Sequence, residues 1–123
     1  MTEQELKRRS KDMALRVIRL VMALPKNSVG SVLGRQAVRS ATSVAANYRA
    51  ACKARSKSDF LSKLGIVEEE ADETQLWIEL IIDSGMIKPS RAVDLLDEVK
   101  QLTAIFAASR ITVRSNQRSS TQK

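Results

Sequence analysis

Six basic side chains that lie close together in the sequence could bind a polyanion. Four of them fall within about 80° of one another around a predicted helix, and two follow in the adjoining turn. They are Arg35, Arg39, Arg49, Lys53, Arg55 and Lys57. Because such side chains can neutralise phosphates without reading bases, the pattern predicts electrostatic, salt-sensitive binding to the backbone of RNA or DNA.

The same basic helix face could instead pair with acids of the chain itself. Residues 13–58 contain nine Lys or Arg and no acid, whereas residues 59–84 contain eight acids and one basic residue, Lys63. Pairing of these two segments, within or between subunits, would fix packing and register. The chain would then be a structural or protein-interaction scaffold that binds no nucleic acid, and both interpretations stay open at this point.

Catalytic and metal-binding patterns are not evident in the sequence. Histidine is absent, which removes imidazole bases and nearly all common zinc sites. The acids Glu69, Asp72 and Glu73 scatter around one predicted helix, and no second helix supplies a matching Glu-x-x-His pair. We therefore predict a protein that is not an enzyme and needs no metal or cofactor.

Length and composition indicate one helical domain. The 123 residues are 43% hydrophobic but only 3% aromatic, so Ala, Leu, Val and Ile must build the core. The net charge of +7 agrees with an anionic partner, although it also serves solubility. The lone Cys52 suits a reducing compartment, no apolar run approaches the roughly 18 residues of a membrane span, and the N-terminus lacks a signal segment. We predict a cytoplasmic protein.

Apolar spacing predicts four helices. The first extends from about Glu3 to Leu24, the second from about Ser31 to Lys53 and the third from about Asp59 to Ser84. The fourth begins at Lys88-Pro89 and reaches about Val113. An antiparallel up-down four-helix bundle over residues 1–113 is the economical fold, and residues 114–123 are predicted to be a disordered basic tail.

Local signals support the boundaries of these helices. Pro25 ends the first helix, Ser56 and Asp59 form a capping pair at the start of the third, and Gly85 suits a left-handed cap at its end. Within the third helix, Gly65 costs about 1 kcal/mol relative to alanine, and close packing is a plausible compensation.

Two apolar sectors lie outside the predicted core stripes. On the third helix the residues are Ile66, Leu76, Trp77 and Leu80, in a sector that a monomeric bundle helix would keep polar. We predict that this sector forms an interface between subunits. On the first helix, Leu15, Ile18 and Met22 also lie off the core stripe, so a second apolar face is possible there.

Three segments resemble one known family. RSATSVAANYRAACKARSKSDFLSKLG, EEADETQLWIELIIDSGMI and LLDEVKQLTAIFAAS, in this order, are similar to the four-helix-bundle proteins encoded in intervening sequences of bacterial 23S ribosomal RNA genes. The similarity covers roughly Leu24 to Val113. It implies an up-down bundle that assembles as a homopentameric ring, and a relation to accessory proteins of diversity-generating retroelements, which bind nucleic acid and reverse transcriptase through a basic surface.

Matches and departures can be placed residue by residue. The family's small-residue and Asn-Tyr-Arg segment falls on Ser43 to Arg49, its phenylalanine-led helix start on Phe60, and its Glu-Thr-aromatic segment on Glu73, Thr74 and Trp77. Four positions depart from the family pattern. Ala50 stands where glutamate is common, Ser62 replaces a histidine, Glu68 replaces a lysine, and Leu76 replaces an aromatic residue.

Overall fold

Four helices follow one another through short connections in a computed structural model, which describes the backbone of residues 1–122 and the side chains of residues 1–116. Helix α1 spans Glu3–Met22, α2 spans Ser28–Cys52, α3 spans Lys57–Asp83 and α4 spans Val93–Gln122. A single 3₁₀ turn at Pro89–Arg91 precedes α4. Helix α1 packs on α2, α2 on α3 and α3 on α4, and a smaller contact between α1 and α4 closes the bundle. The predicted all-α four-helix fold is confirmed.

Side-chain caps explain where the helices begin. The Thr2 hydroxyl accepts from the backbone N–H of Glu5 at 3.1 Å, and the Ser56 hydroxyl accepts from that of Asp59 at 3.0 Å, as the sequence predicted for Ser56. The Asn27 carboxamide accepts from the Gly30 N–H at 2.8 Å. Because Asn27 supplies this cap, α2 begins three residues earlier than the predicted start at Ser31.

The end of α3 agrees with the prediction from sequence, whereas the start and the end of α4 differ from it. Gly85 has a φ of 79°, the left-handed conformation expected after α3. Proline begins a separate 3₁₀ turn, so α4 proper starts at Val93 and not at Pro89. At its other end α4 continues to Gln122 with no glycine or proline to stop it, past the predicted end near Val113. The side chains from residue 117 onward lie outside the described residues, and disorder of the 114–123 tail stays a prediction.

The core is aliphatic with one aromatic pair. Tyr48 and Phe106 lie with ring centroids 5.5 Å apart, and together they join α2 to α4 across the bundle. Each helix contributes fully buried branched or long residues at helical spacing; they include Met13, Val17, Val44, Leu64, Val67, Ile78, Ile81, Val99 and Leu102. Low aromatic content is thus compensated by many well-buried aliphatic side chains.

Close helix approach occurs at glycines of α2 and not at Gly65. A Cβ at Gly34 would lie 2.7 Å from Cγ1 of Val21, so this glycine lets α1 and α2 pack closely. A Cβ at Gly30 would lie 2.5 Å from the carbonyl oxygen of Pro25. A Cβ at Gly65 would have no atom of a neighbouring helix within 4 Å, so the close packing suggested there is wrong.

None of the helices in the described part of the chain is both long enough and apolar enough to span a bilayer.

Candidate nucleic-acid interface

A basic pocket lies between the N-terminal half of α1 and the C-terminal half of α2. The antiparallel pairing of these helices brings Lys7, Arg8 and Lys11 of α1 next to Arg49 and Lys53 of α2, with Gln4 completing the lining. We call these five cations the basic cluster. The lining contains no acidic side chain, so both walls contribute the same sign of charge.

No member of the basic cluster forms an ion pair with an acid in the described part of the chain. The ion pairs there involve other basic residues: Arg9, Arg39, Lys63 and Arg110. Five cations held by two packed helices create a local positive potential that attracts anions and strengthens at low salt. This is the chemistry that a phosphate backbone requires, since its binding depends on the number of neutralised phosphates.

An apolar groove continues from the basic cluster along the same pair of helices. Its α1 wall is formed by Ala14, Leu15 and Ile18, and its α2 wall by four small residues, Thr42, Ala45, Ala46 and Ala50. The groove has a volume of about 660 Å³, and Lys11, Arg49 and Lys53 also line it. Leu15 is 37% exposed. Two of the three residues that the sequence placed on a second apolar face of α1 therefore lie in this groove, whereas Met22 is simply exposed.

Arg39 is engaged by the chain's own acids. One of its guanidinium nitrogens lies 3.0 Å from a carboxylate oxygen of Glu70, and another lies 2.8 Å from one of Glu73, both on α3. The Arg39 side chain is also bonded to Gln36 at 3.1 Å. For this residue the structure supports the alternative in which the basic face pairs with the acids of α3.

The other predicted phosphate contacts are separated along the bundle. Arg35 is exposed, with a 3.3 Å bond to Ser31, and it lies fourteen residues before Arg49, or about 21 Å along the helix. Arg55 and Lys57 are exposed around the α2–α3 turn. The structure thus brings together two of the six predicted residues, Arg49 and Lys53, and joins them to three cations of α1.

The chain matches a known protein family over most of its length. The model of the family described as 23S rRNA-intervening sequence protein matches residues 2–108. The chain belongs to this family. A similar solved structure is a protein of unknown function from the S23 ribosomal protein family of Bacteroides thetaiotaomicron, with 30% sequence identity and a TM-score of 0.82 over 89% of this chain and 98% of that one. No curated protein matches the chain.

The departures from the family pattern have visible structural settings. Glu68 accepts from Nε of Arg110, so an acid at this position links α3 to α4. This pairing raises the pKa of Arg110, first through the hydrogen bond and then through the charge of Glu68. Ala50 lines the apolar groove, Ser62 is exposed, and Leu76 is 47% exposed.

The family's polar segment on α2 supports packing within the chain. Thr74 Oγ1 lies 2.8 Å from Ser40 Oγ across the buried α2–α3 contact. The Asn47 amide donates to the carbonyl and hydroxyl oxygens of Ser43, each at 2.9 Å, within α2 itself. Of these polar residues, only Ser40 bonds to another helix, whereas Ser43 and Asn47 bond to each other within α2.

Cys52 borders the basic cluster but is poorly suited to react. Burial raises the pKa of its thiol, and the neighbouring Tyr48 hydroxyl partly offsets that rise. Burial also raises the pKa of the Tyr48 hydroxyl, with a further contribution from the neighbouring Cys52 thiol. Both groups are therefore neutral near pH 7. Among the described residues, no group of three or more His, Cys, Asp or Glu side chains could hold a metal ion.

The predicted subunit interface on α3 is mostly exposed. Ile66 is 43% exposed, Leu76 is 47% exposed and Leu80 is 40% exposed. Trp77 differs, because it is half-buried and packs against the core. It lies one turn after Glu73, on the flank of α3 that faces α2. Its indole N–H is buried and has no hydrogen-bond acceptor among the described residues.

Sequence reasoning missed the α1 half of the basic cluster. Lys7 and Lys11 are four residues apart, so they share one side of α1, and Arg8 is adjacent. In an antiparallel hairpin this part of α1 must lie beside the end of α2, so the predicted topology already contained the signal. The predicted site was drawn from α2 and its following turn alone, whereas the pocket is formed by α1 and α2 together.

Proposed function

We propose that this member of the 23S rRNA-intervening sequence protein family is a non-enzymatic, cytoplasmic protein that binds the phosphate backbone of nucleic acid at the basic cluster. One observation carries the proposal: five cations from two helices surround one pocket without an acid in its lining or an ion pair in the described residues. Arg55 and Lys57, exposed near the same end of α2, extend the positive surface.

The expected binding mode is electrostatic. Both family descriptions refer to ribosomal RNA or a ribosomal protein, which agrees with RNA as the nucleic acid. The two largest aromatic candidates for base stacking are engaged in the fold, since Tyr48 is buried and Trp77 packs on the core. We therefore propose contacts to phosphates with little base preference.

Self-association is the second part of the proposal. Three large aliphatic side chains on one exposed helix face favour contact with another protein surface, and a second copy is always available. The five-subunit ring implied by the resemblance is the assembly that we propose. A ring would also repeat the basic cluster and so multiply its phosphate contacts.

A scaffold without nucleic-acid binding is the alternative, and Arg39 favours it. Its bonds to Glu70 and Glu73 show how basic residues of α2 can serve packing instead of ligand binding. The same interpretation does not extend to the basic cluster, whose members have no such partners in the described residues.

The test compares two variants with the same change in net charge. Lys7→Glu with Arg8→Glu reverses two members of the basic cluster, whereas Lys26→Glu with Arg35→Glu reverses two exposed residues at the opposite end of the α1–α2 pair. Nuclease-treated protein is titrated into a mixed-sequence single-stranded RNA and a duplex DNA at one salt concentration. We expect the first variant to lose at least about tenfold in affinity and the second to lose much less.

Native mass measurement before and after nuclease treatment completes the test. It reports the subunit number and any nucleic acid that co-purifies with the wild-type chain. Equal losses in the two variants would mean that only net charge matters. No binding by the wild type would leave the scaffold alternative.

A further inference from the structure

Two surfaces of the molecule are unpartnered and opposite in character. The α3 face carries Ile66, Leu76 and Leu80 together with exposed acids, whereas the α1–α2 groove combines an apolar floor with cations at one end. Each surface is apolar enough to favour burial and charged enough to select its partner.

The acids of α3 decide what can cover its exposed face. Glu69 and Asp72 lie between Ile66 and Leu76 along the helix, and both are exposed without an ion pair in the described residues. Two such faces packed symmetrically would bring like charges together, which is unfavourable. A basic partner surface is favoured instead.

The groove has the shape and charge that a helix with this face needs. Its α2 wall is built from alanines and Thr42, and small residues let another helix approach closely. Lys11 and Arg49 border the groove and can face acids of the incoming helix. Lys7 and Arg8 line only the basic pocket and not the groove, so they stay accessible to phosphates when the groove is filled.

We propose that the α1–α2 groove of one copy receives the exposed face of α3 from a second copy of this chain. Leu76 and Leu80 then pack on Leu15, Ile18 and the alanines of the groove, and the acids of α3 lie near Lys11 and Arg49. The contact is head-to-tail, because each copy offers a groove and an α3 face that meet different copies. This inference rests on the self-association in the proposed function and specifies its two surfaces.

The test uses one disabled surface per variant. Ala46→Glu places an acid in the groove at an exposed position, and Leu76→Lys places a cation on the α3 face. The matched control is Ile111→Lys, because Ile111 is also aliphatic and is 62% exposed, on α4. Masses of nuclease-treated full-length proteins are measured alone and in equimolar mixtures, with circular dichroism to verify folding.

The expected result is complementation. Ala46→Glu and Leu76→Lys should each weaken self-association by about 30-fold or more, while the control keeps the wild-type mass. A mixture of the two should form a one-to-one dimer, because it still contains one intact groove and one intact α3 face. This pairing should also weaken with added salt.

Three results would overturn the inference. They are a monomeric wild type, an Ala46→Glu protein with the wild-type mass, or two monomeric variants that do not pair when mixed. The second result would indicate a contact that bypasses the groove. Nucleic-acid binding is measured separately on the Lys7→Glu, Arg8→Glu protein, whose two changes lie outside the groove lining, so failure of the phosphate proposal and failure of this one give different results.

Discussion

Thr74 Oγ1 donates to Ser40 Oγ at 2.8 Å in the fully buried contact between α2 and α3. Ser40 Oγ in turn lies 3.2 Å from the carbonyl oxygen of Ala37, so it can donate onward into its own helix. The carbonyl oxygen of Glu70, also 2.8 Å from Thr74 Oγ1, is a second possible acceptor for the single Thr74 hydroxyl proton. The polar contact is accommodated in an aliphatic core because each hydroxyl proton has an acceptor.

Replacing both hydroxyls should show coupling between them. We expect Ser40→Ala to lower the free energy of unfolding by about 0.5–1.5 kcal/mol, the usual net contribution of one hydrogen bond. Thr74→Val should cost a similar amount, and the double variant less than the sum, because the second change removes a bond that is already broken. Urea denaturation of all four proteins measures the cycle. Thr103→Ala is the control, since its hydroxyl bonds only within α4 and lies outside the α1–α2 groove. Strict additivity of Ser40→Ala and Thr74→Val would contradict the coupling.

Two helical glycines should respond to alanine in opposite directions. At Gly30 a methyl group would lie 2.5 Å from the carbonyl oxygen of Pro25, a backbone atom that cannot move aside without disturbing the α1–α2 connection. We expect Gly30→Ala to destabilise the protein by about 1–3 kcal/mol. Gly65→Ala has open space and a helical backbone, so it should stabilise by about 0.5–1 kcal/mol.

Thermal unfolding of the two glycine variants provides the comparison. Each change adds the same methyl group, so propensity and chain entropy are matched and the difference reports the surroundings of each glycine. A lower melting temperature for Gly65→Ala would contradict the open space beside that residue.

Alkylation of Cys52 should be slow near pH 7 and should accelerate as the pH rises. Burial raises the pKa of the thiol, so the reactive thiolate is scarcer than in a free cysteine at the same pH. The neighbouring Tyr48 hydroxyl acts in the opposite direction and lowers that pKa. Tyr48→Phe should therefore raise the pKa of the Cys52 thiol further and slow its alkylation by iodoacetamide at any pH below that pKa. Both proteins should react equally in urea, and faster alkylation of the folded variant would contradict this electrostatic role.

Much of the fold was predictable because its signals are local or periodic. The Ser56 cap and the left-handed Gly85 depend on residues a few positions apart, and the four helices follow from apolar spacing; all of these predictions are confirmed. Helix α2 starts earlier than predicted because Asn27, a residue type that also favours turns, caps it. The environment of Gly65 was wrong because helix spacing says nothing about the distance to a neighbouring helix.

The candidate site was only half predictable for a related reason. One helix shows which of its residues share a face, but the partners of that face belong to other helices. Arg39 lies opposite α3 and meets Glu70 and Glu73, whereas Arg49 and Lys53 meet the cations of α1. A uniform basic face in sequence thus becomes two surfaces with different chemistry.

Salt dependence should separate these two surfaces. Losing one contact between a basic side chain and a phosphate reduces the magnitude of the slope of log affinity against log salt by about 0.7 for a single strand and about 0.9 for duplex DNA. We expect Lys7→Gln and Lys53→Gln each to reduce the slope by roughly this amount, since both side chains line the basic pocket. Arg39→Gln removes one charge as well, but its guanidinium faces Glu70 and Glu73, so the slope should stay unchanged. Titrations of one RNA at several salt concentrations measure all three variants. If the slope decreased for Arg39→Gln and stayed unchanged for Lys7→Gln, the phosphates would bind on the α2–α3 side of the bundle and not at the basic cluster.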